Sequence, residues 1–126
     1  MRGLICLALL TGCASDETLT RYAPQGQLFI LSEVNDNESP IQATLELGPN
    51  GALTGEGPCN RYNATIDVPY PWFHIDAISA TRMACPDLDN EVRYFDLLSK
   101  MTLSEFARGT LILSNDAGQN LVFTQP

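Results

Sequence analysis

Apolar residues along this chain recur mostly at every second position, in short runs punctuated by turn formers, which is the signature of strands with one buried face. Leu28 to Val34 (LFILSEV) predicts a strand, and Asn35 to Pro40 (NDNESP) predicts a loop. Ala43 to Leu47 alternates, with Leu45 and Leu47 on one face. The turn Gly48-Pro49-Asn50-Gly51 and the resumed strand Ala52 to Gly55 complete a β-hairpin. Gly55 and Gly57 predict a bend or bulge ahead of Pro58 and Cys59. Tyr62, Ala64, Ile66 and Val68 then share a face of the next strand, Pro69-Tyr70-Pro71 breaks it, and Trp72 to Ile75 opens another.

The period changes once. Tyr94, Leu97, Leu98 and Met101 fall at i, i+3, i+4 and i+7, the apolar stripe of a helix over about Leu88 to Met101, widened by Val92 and Phe95. Pro86 ends the preceding extended stretch Ile78 to Cys85, and Asp87 or Asp89 is placed to cap the helix. Leu103 to Ala107, Thr110 to Ser114 and Asn120 to Thr124 predict three closing strands, separated by Gly109 and the turn Asn115 to Gly118. Hairpin-length links imply antiparallel pairing. The fold class expected is α+β, mainly antiparallel β: a barrel-like shell of about seven or eight strands with one helix over an opening.

The first residues follow a different logic. Met1 to Cys13 (MRGLICLALLTGC) carries Arg2, an apolar core from Leu4 to Leu10, and Leu10-Thr11-Gly12-Cys13. That end resembles the lipobox of bacterial lipoproteins, which implies a signal peptide over 1–12, cleavage before Cys13 and lipidation of its thiol, palmitate included. By the same resemblance Ala14 favours the outer membrane over inner-membrane retention. Two or more acyl chains hold a protein stably to a bilayer. The polar stretch Ser15 to Ala23 reads as a tether, so 13–26 is assigned to the lipidated N-terminus and its linker.

Composition narrows the partners. The 126 residues, 44% hydrophobic and 17% charged, suit one small globular domain. Lys100 and six arginines face 15 carboxylates, a formal charge of −8, which becomes −9 once Arg2 is cleaved away. Nucleic acid is disfavoured, as is the surface of an anionic leaflet, and a cationic partner is favoured. Cys6 leaves with the signal and Cys13 takes lipid, so Cys59 and Cys85 remain. A bridge between them closes a loop of 27 residues, worth about 3.5 kcal/mol in the chain-entropy model. Two buried free thiols or a metal site are the alternatives, though with His74 as the sole histidine zinc lacks ligands.

Catalysis finds little support. His74 and Asp76 share a strand face, and Ser79 or Thr81 is a nearby hydroxyl, but no nucleophile elbow or oxyanion hole accompanies them. Asp87 to Glu91 (DLDNE) lacks the glycine and the length of a calcium loop and reads as helix capping with solvated charge. No catalytic residue, metal or cofactor is assigned.

Two motifs stand together: Leu53-Thr54-Gly55 followed by Pro58-Cys59-Asn60-Arg61-Tyr62, and Ser79-Ala80-Thr81-Arg82-Met83-Ala84-Cys85-Pro86 leading into the helix. With the closing strands around Leu111 to Leu113 and Leu121 to Phe123, they resemble the META (HslJ-like) domain, over roughly Leu28 to Phe123. The domain is assigned to 27–126. Pro58 stands where a Gly is usual and Phe29 where Trp is frequent, and Asn63 replaces a Gly whose left-handed turn Asn tolerates. The resemblance implies a barrel-like antiparallel domain, no catalytic activity, and association with envelope stress, antibiotic tolerance and, in some members, secretion or motility. It carries Gly55, Asn60, Arg61, Tyr62, Thr81 and Met83 over as structural positions. The expected function is that of a non-catalytic, outer-membrane-anchored lipoprotein on the periplasmic face, binding an envelope protein or an amphiphile in envelope stress or integrity. The alternative is an inhibitor of a cationic periplasmic enzyme such as lysozyme, acting through Asp36, Glu38, Asp87 and Asp89 around a protruding loop.

Overall fold

A computed structural model describes residues 15–126, so the expected signal peptide and Cys13 lie outside the described residues. The element order is α1 (Leu19–Tyr22), β1 (Phe29–Val34), β2 (Asn37–Glu38), β3 (Thr44–Leu47), a 3-10 turn (Pro49–Gly51), β4 (Ala52–Glu56), β5 (Arg61–Thr65), β6 (Ser79–Ala80), α2 (Leu88–Lys100), β7 (Leu103–Ala107), β8 (Thr110–Ser114) and β9 (Asn120–Thr124). All pairings are antiparallel, in the order β6-β5-β4-β3-β1-β9-β8-β7, with β2 folded back on β1.

The sheet is open, which corrects the expected barrel-like shell. It has nine strands and, among the described residues, two α-helices instead of one. Its edges β6 and β7 do not pair with each other. The stretch Trp72–Ile75, expected as a strand, instead makes the isolated bridges Ile66–Ile75 and Trp72–Leu103, and reaches β7 through Phe73 N to Thr102 O (2.8 Å) and Ser104 N to Pro71 O (2.7 Å). Pro69 and Pro71 lack the N–H that a continuous ladder requires, so this segment straps two edges without joining them.

Alternation produces the core. Phe29 and Leu31 point inward from β1, and the register against β9 then shifts between Leu31 and Glu33. This bulge turns Val34 inward and leaves Glu33 in water, where an unbroken period of two would have buried the glutamate. Leu45, Leu47, Leu53, Tyr62, Ala64 and Ile66 meet Leu111, Leu113, Leu121 and Phe123 across the interior. Helix α2 lays Tyr94, Leu97 and Leu98 onto this surface, with Met101 buried just past its end. Val92, expected on the apolar face, is exposed, and Asp87 at the helix start makes no capping hydrogen bond; its carboxylate accepts from Asn90 Nδ2.

The segment expected as a tether is packed from Leu19 onward. Leu19, Thr20 and Ala23 are buried, and Thr20 Oγ1 accepts from the buried Gly51 N at 2.9 Å, fastening α1 to the β3–β4 turn. Asp16 collects the hydroxyls of Thr18 and Thr20. Burial alone would raise its pKa, but these hydrogen bonds to the charged form outweigh it and hold the carboxyl below the usual range.

Candidate functional site

The loop after β4 is organised by one buried carboxylate. Glu91 projects from the first turns of α2 and is 3% exposed. Its Oε1 accepts from Cys59 N (3.1 Å) and Asn60 N (2.6 Å), and its Oε2 accepts from Asn60 Nδ2 (2.7 Å). The other end of the Asn60 amide faces the β6 segment: Oδ1 accepts from Thr81 Oγ1 (2.9 Å) and Met83 N (2.6 Å), and Nδ2 also donates to Met83 O (3.0 Å). Asn60 therefore clamps its own loop, the helix and the β6 extension together. The Cys59–Cys85 disulfide, Cα to Cα 5.8 Å, closes the same junction. A Cβ on Gly57 would sit 2.7 Å from Glu91 Oε1, so a side chain there would displace the carboxylate.

A second buried pair lies one strand position further. Tyr62 donates to Thr44 O (2.7 Å), which uses its one hydroxyl proton, so the 2.6 Å contact with Tyr94 is donated by Tyr94. Burial pushes the phenol pKa of Tyr62 well above its ordinary value, reinforced by the neighbouring Tyr94, and burial raises that of Tyr94 as well. A Cβ on Gly55 would overlap the Thr44 carbonyl and approach the Tyr62 hydroxyl to 2.6 Å. The motif glycine is thus a space requirement for the tyrosine's hydrogen bond.

Above this framework runs an open groove of about 760 Å³ on the solvent face of β3 to β6. Register sets its floor. Glu46 opposes Thr54, Thr54 opposes Asn63 and Asn63 opposes Ser79, a straight polar row across four strands. Beside it, Glu56 opposes Arg61, Thr44 Oγ1 accepts from Glu56 N, and Thr81 N bonds Arg61 O, which sets out a second row. The side chains of Thr54, Asn63 and Ser79 make no hydrogen bond among the described residues, whereas Arg61 meets Glu56 at 3.5 Å in an exposed ion pair. A smaller hollow of about 430 Å³ shares Glu56, Arg61 and Thr81 and runs to the disulfide and Met83, a residue that is 64% exposed.

The residues singled out from sequence separate accordingly. Asn60, Tyr62 and Gly55 hold the fold, Thr81 contributes its hydroxyl to Asn60, Met83 contributes its backbone, and Arg61 lines the groove. Asn63 sits mid-strand in β5, not in a left-handed turn. His74 Nδ1 contacts Asp67 at 2.7 Å instead of Asp76, which accepts from Thr65 N. Among the described residues no three His, Cys, Asp or Glu side chains gather as a metal site. Glu91, read from sequence as solvated charge, is the residue that was missed. A signal existed: it lies three before Tyr94 and seven before Leu98, on the apolar stripe itself.

The model of the META domain family matches residues 24–126. The chain belongs to the META domain family. META domains are non-catalytic interaction modules, typically periplasmic or membrane-associated in bacteria. Among solved structures, this META domain is similar to an NMR structure of a protein from Burkholderia xenovorans, with a TM-score of 0.65 and 23% identity over 85% of this chain and 86% of that one. A second NMR structure matches with a TM-score of 0.59 and 21% identity over 80% of this chain and 90% of the other. At that identity the likeness is one of fold. No curated protein matches the chain.

Proposed function

We propose that this META domain is a lipid-anchored envelope binding module that takes an extended segment of another envelope protein into the β3–β6 groove, in support of envelope integrity under stress. The observation that carries this is the row Thr54, Asn63, Ser79: three exposed polar side chains aligned across adjacent strands, with no hydrogen bond from them to other described residues. They rest on a framework braced by the disulfide and the Asn60–Glu91 clamp, so the surface is preorganised and loses little entropy on binding. The edge β6 adjoins the groove and offers backbone groups to an added strand.

Attachment at Cys13 on the periplasmic face of the outer membrane is supported by Arg2, the apolar Leu4 to Leu10 and the Leu10-Thr11-Gly12-Cys13 end. The disulfide fits an oxidising compartment. An amphiphile inside the domain has no support, because Phe29, Leu45, Leu53, Tyr94, Leu98 and Phe123 fill the interior. The enzyme-inhibitor reading rests on net charge and the expected anchor: Asp36 and Glu38 belong to the β1–β2 hairpin, Asp87 and Asp89 to the start of α2, and among the described residues no hydrogen bond links the two sets.

The test is in-cell photocrosslinking from position 63 of the full chain. One defined adduct is expected, lost when Ser79→Arg is added, with the protein remaining in the membrane fraction. Adducts from the α2 surface but none from the groove would reject the site. A Cys13→Ser protein exported behind a conventionally cleaved signal peptide is expected in the soluble periplasmic fraction; its retention on the membrane would reject the anchor.

A further inference from the structure

Two exposed or half-exposed aromatic side chains meet where the described chain begins, and a third lies two residues along the chain from one of them. Tyr22 on α1 stacks on Tyr70, ring centroids 4.8 Å apart and planes inclined by 22°. Trp72, two residues on, is 59% exposed and bridges Leu103 at the β7 edge. Tyr22 is 52% exposed, and Arg21 places its guanidinium 5.9 Å from the Tyr22 ring centre. None of these aromatics lines the β3–β6 groove. Large aromatic rings cost free energy in water, and Tyr and Trp are the residues that settle at a bilayer's headgroup level, with an apolar body and a polar tip.

The chain's path says what covers them. Tyr70 N donates to Glu17 O at 2.8 Å, so the start of the described chain is fastened to the aromatic cluster itself. Glu17 lies only four positions after Cys13, a span of roughly 14 Å at full extension. A lipid on Cys13 therefore holds Tyr70 within about two headgroup layers of the bilayer surface. The negative domain gains nothing from an anionic leaflet, so the uncharged rings and the Arg21 guanidinium beside Tyr22 are what this face offers a lipid headgroup.

We propose that Tyr22, Tyr70 and Trp72 form a membrane-facing platform that seats the domain on the lipid surface in one orientation, rather than leaving it to swing on a linker. The inference rests on the Cys13 anchor proposed above, and its test separates the two. Trp72 is the chain's one tryptophan, so its fluorescence reports this surface alone. The acylated full chain, reconstituted into phosphatidylcholine–phosphatidylethanolamine vesicles, is compared with the Cys13→Ser protein in buffer, while mass spectrometry reads the Cys13 peptide. The expected result is an acylated Cys13, a shift of Trp72 emission to shorter wavelength, quenching by brominated lipids and loss of iodide quenching. Tyr22→Ser, at an exposed position, is expected to reduce the shift while the circular dichroism spectrum stays unchanged. An acylated protein whose Trp72 emission and iodide quenching match the soluble variant overturns the platform and leaves the anchor standing. An unmodified Cys13 overturns both. A Trp72 that ignores brominated lipid but responds to soluble peptidoglycan fragments assigns the surface to glycan and overturns the platform.

Discussion

Asn60 and Glu91, 31 positions apart in sequence, are joined by two hydrogen bonds, from Asn60 N to Oε1 at 2.6 Å and from Asn60 Nδ2 to Oε2 at 2.7 Å. This pair makes the loop that carries Cys59 a rigid extension of the helix. Glu91→Ala leaves three donors, those of Cys59 N, Asn60 N and Asn60 Nδ2, without the acceptor they share. The expected loss is about 3 kcal/mol. Glu91→Gln keeps two acceptor lone pairs but turns an amide donor toward other donors, for a loss of about 1–2 kcal/mol. Urea unfolding of both variants checks the order; equal stability to the parent in either would remove the clamp.

Removing the bridge acts through the unfolded chain. Cys59→Ser with Cys85→Ser releases a 26-residue separation and is expected to lower stability by about 3.5 kcal/mol. Thiol titration of the oxidised, unfolded parent should find no reactive sulfur at either position.

Gly55→Ala places a methyl against the Thr44 carbonyl and the Tyr62 hydroxyl, both in the sheet interior. A loss of about 2–3 kcal/mol is expected. Gly118→Ala meets no atom within 4 Å and carries only the strain of φ +77°, about 1 kcal/mol. Thermal unfolding that ranks Gly118→Ala as the worse substitution would contradict this packing.

The tyrosine pair predicts an alkaline limit. Both phenol pKa values are raised by burial. Their contribution is complete below the unfolded value near 10 and is lost as pH rises toward the folded values. In that window each tyrosine should lower stability by about 1.4 kcal/mol per pH unit. Tyr94→Phe removes one of the two protons from the slope, measurable by urea unfolding between pH 9 and about 11.5. Asp16 acts at the other end: its lowered pKa gives stability present above the unfolded value near 4 and lost as acid protonates the carboxyl. Asp16→Asn should flatten that acid limb.

Much of the strand set was legible because one buried face forces a period of two. Leu45 and Leu47, Tyr62, Ala64 and Ile66, and Leu111 and Leu113 all point inward as their spacing requires. The α2 stripe was equally plain at Tyr94, Leu97, Leu98 and Met101. Reading failed where polarity and burial part company. Glu91 is charged yet buried, because its partners are backbone N–H groups that no side-chain pattern displays. Asn35 to Pro40 looked like a plain loop because β2 contributes two exposed residues that pair with β1. Residues 19–23 looked like a linker because Thr20 is held by Gly51 N, on the far side of three strands.

Sequence by itself determined that this is a META domain of alternating strands and one amphipathic main helix, since side-chain periodicity and the spacing of Cys59, Asn60, Thr81 and Cys85 are local properties. Only the tertiary structure decided that the sheet stays open, that Glu91 is the hub of the motif, and that Thr54, Asn63 and Ser79 align into one row. Closure and cross-strand alignment depend on register between strands distant in sequence, and register is a property of how strands meet, which no single strand encodes.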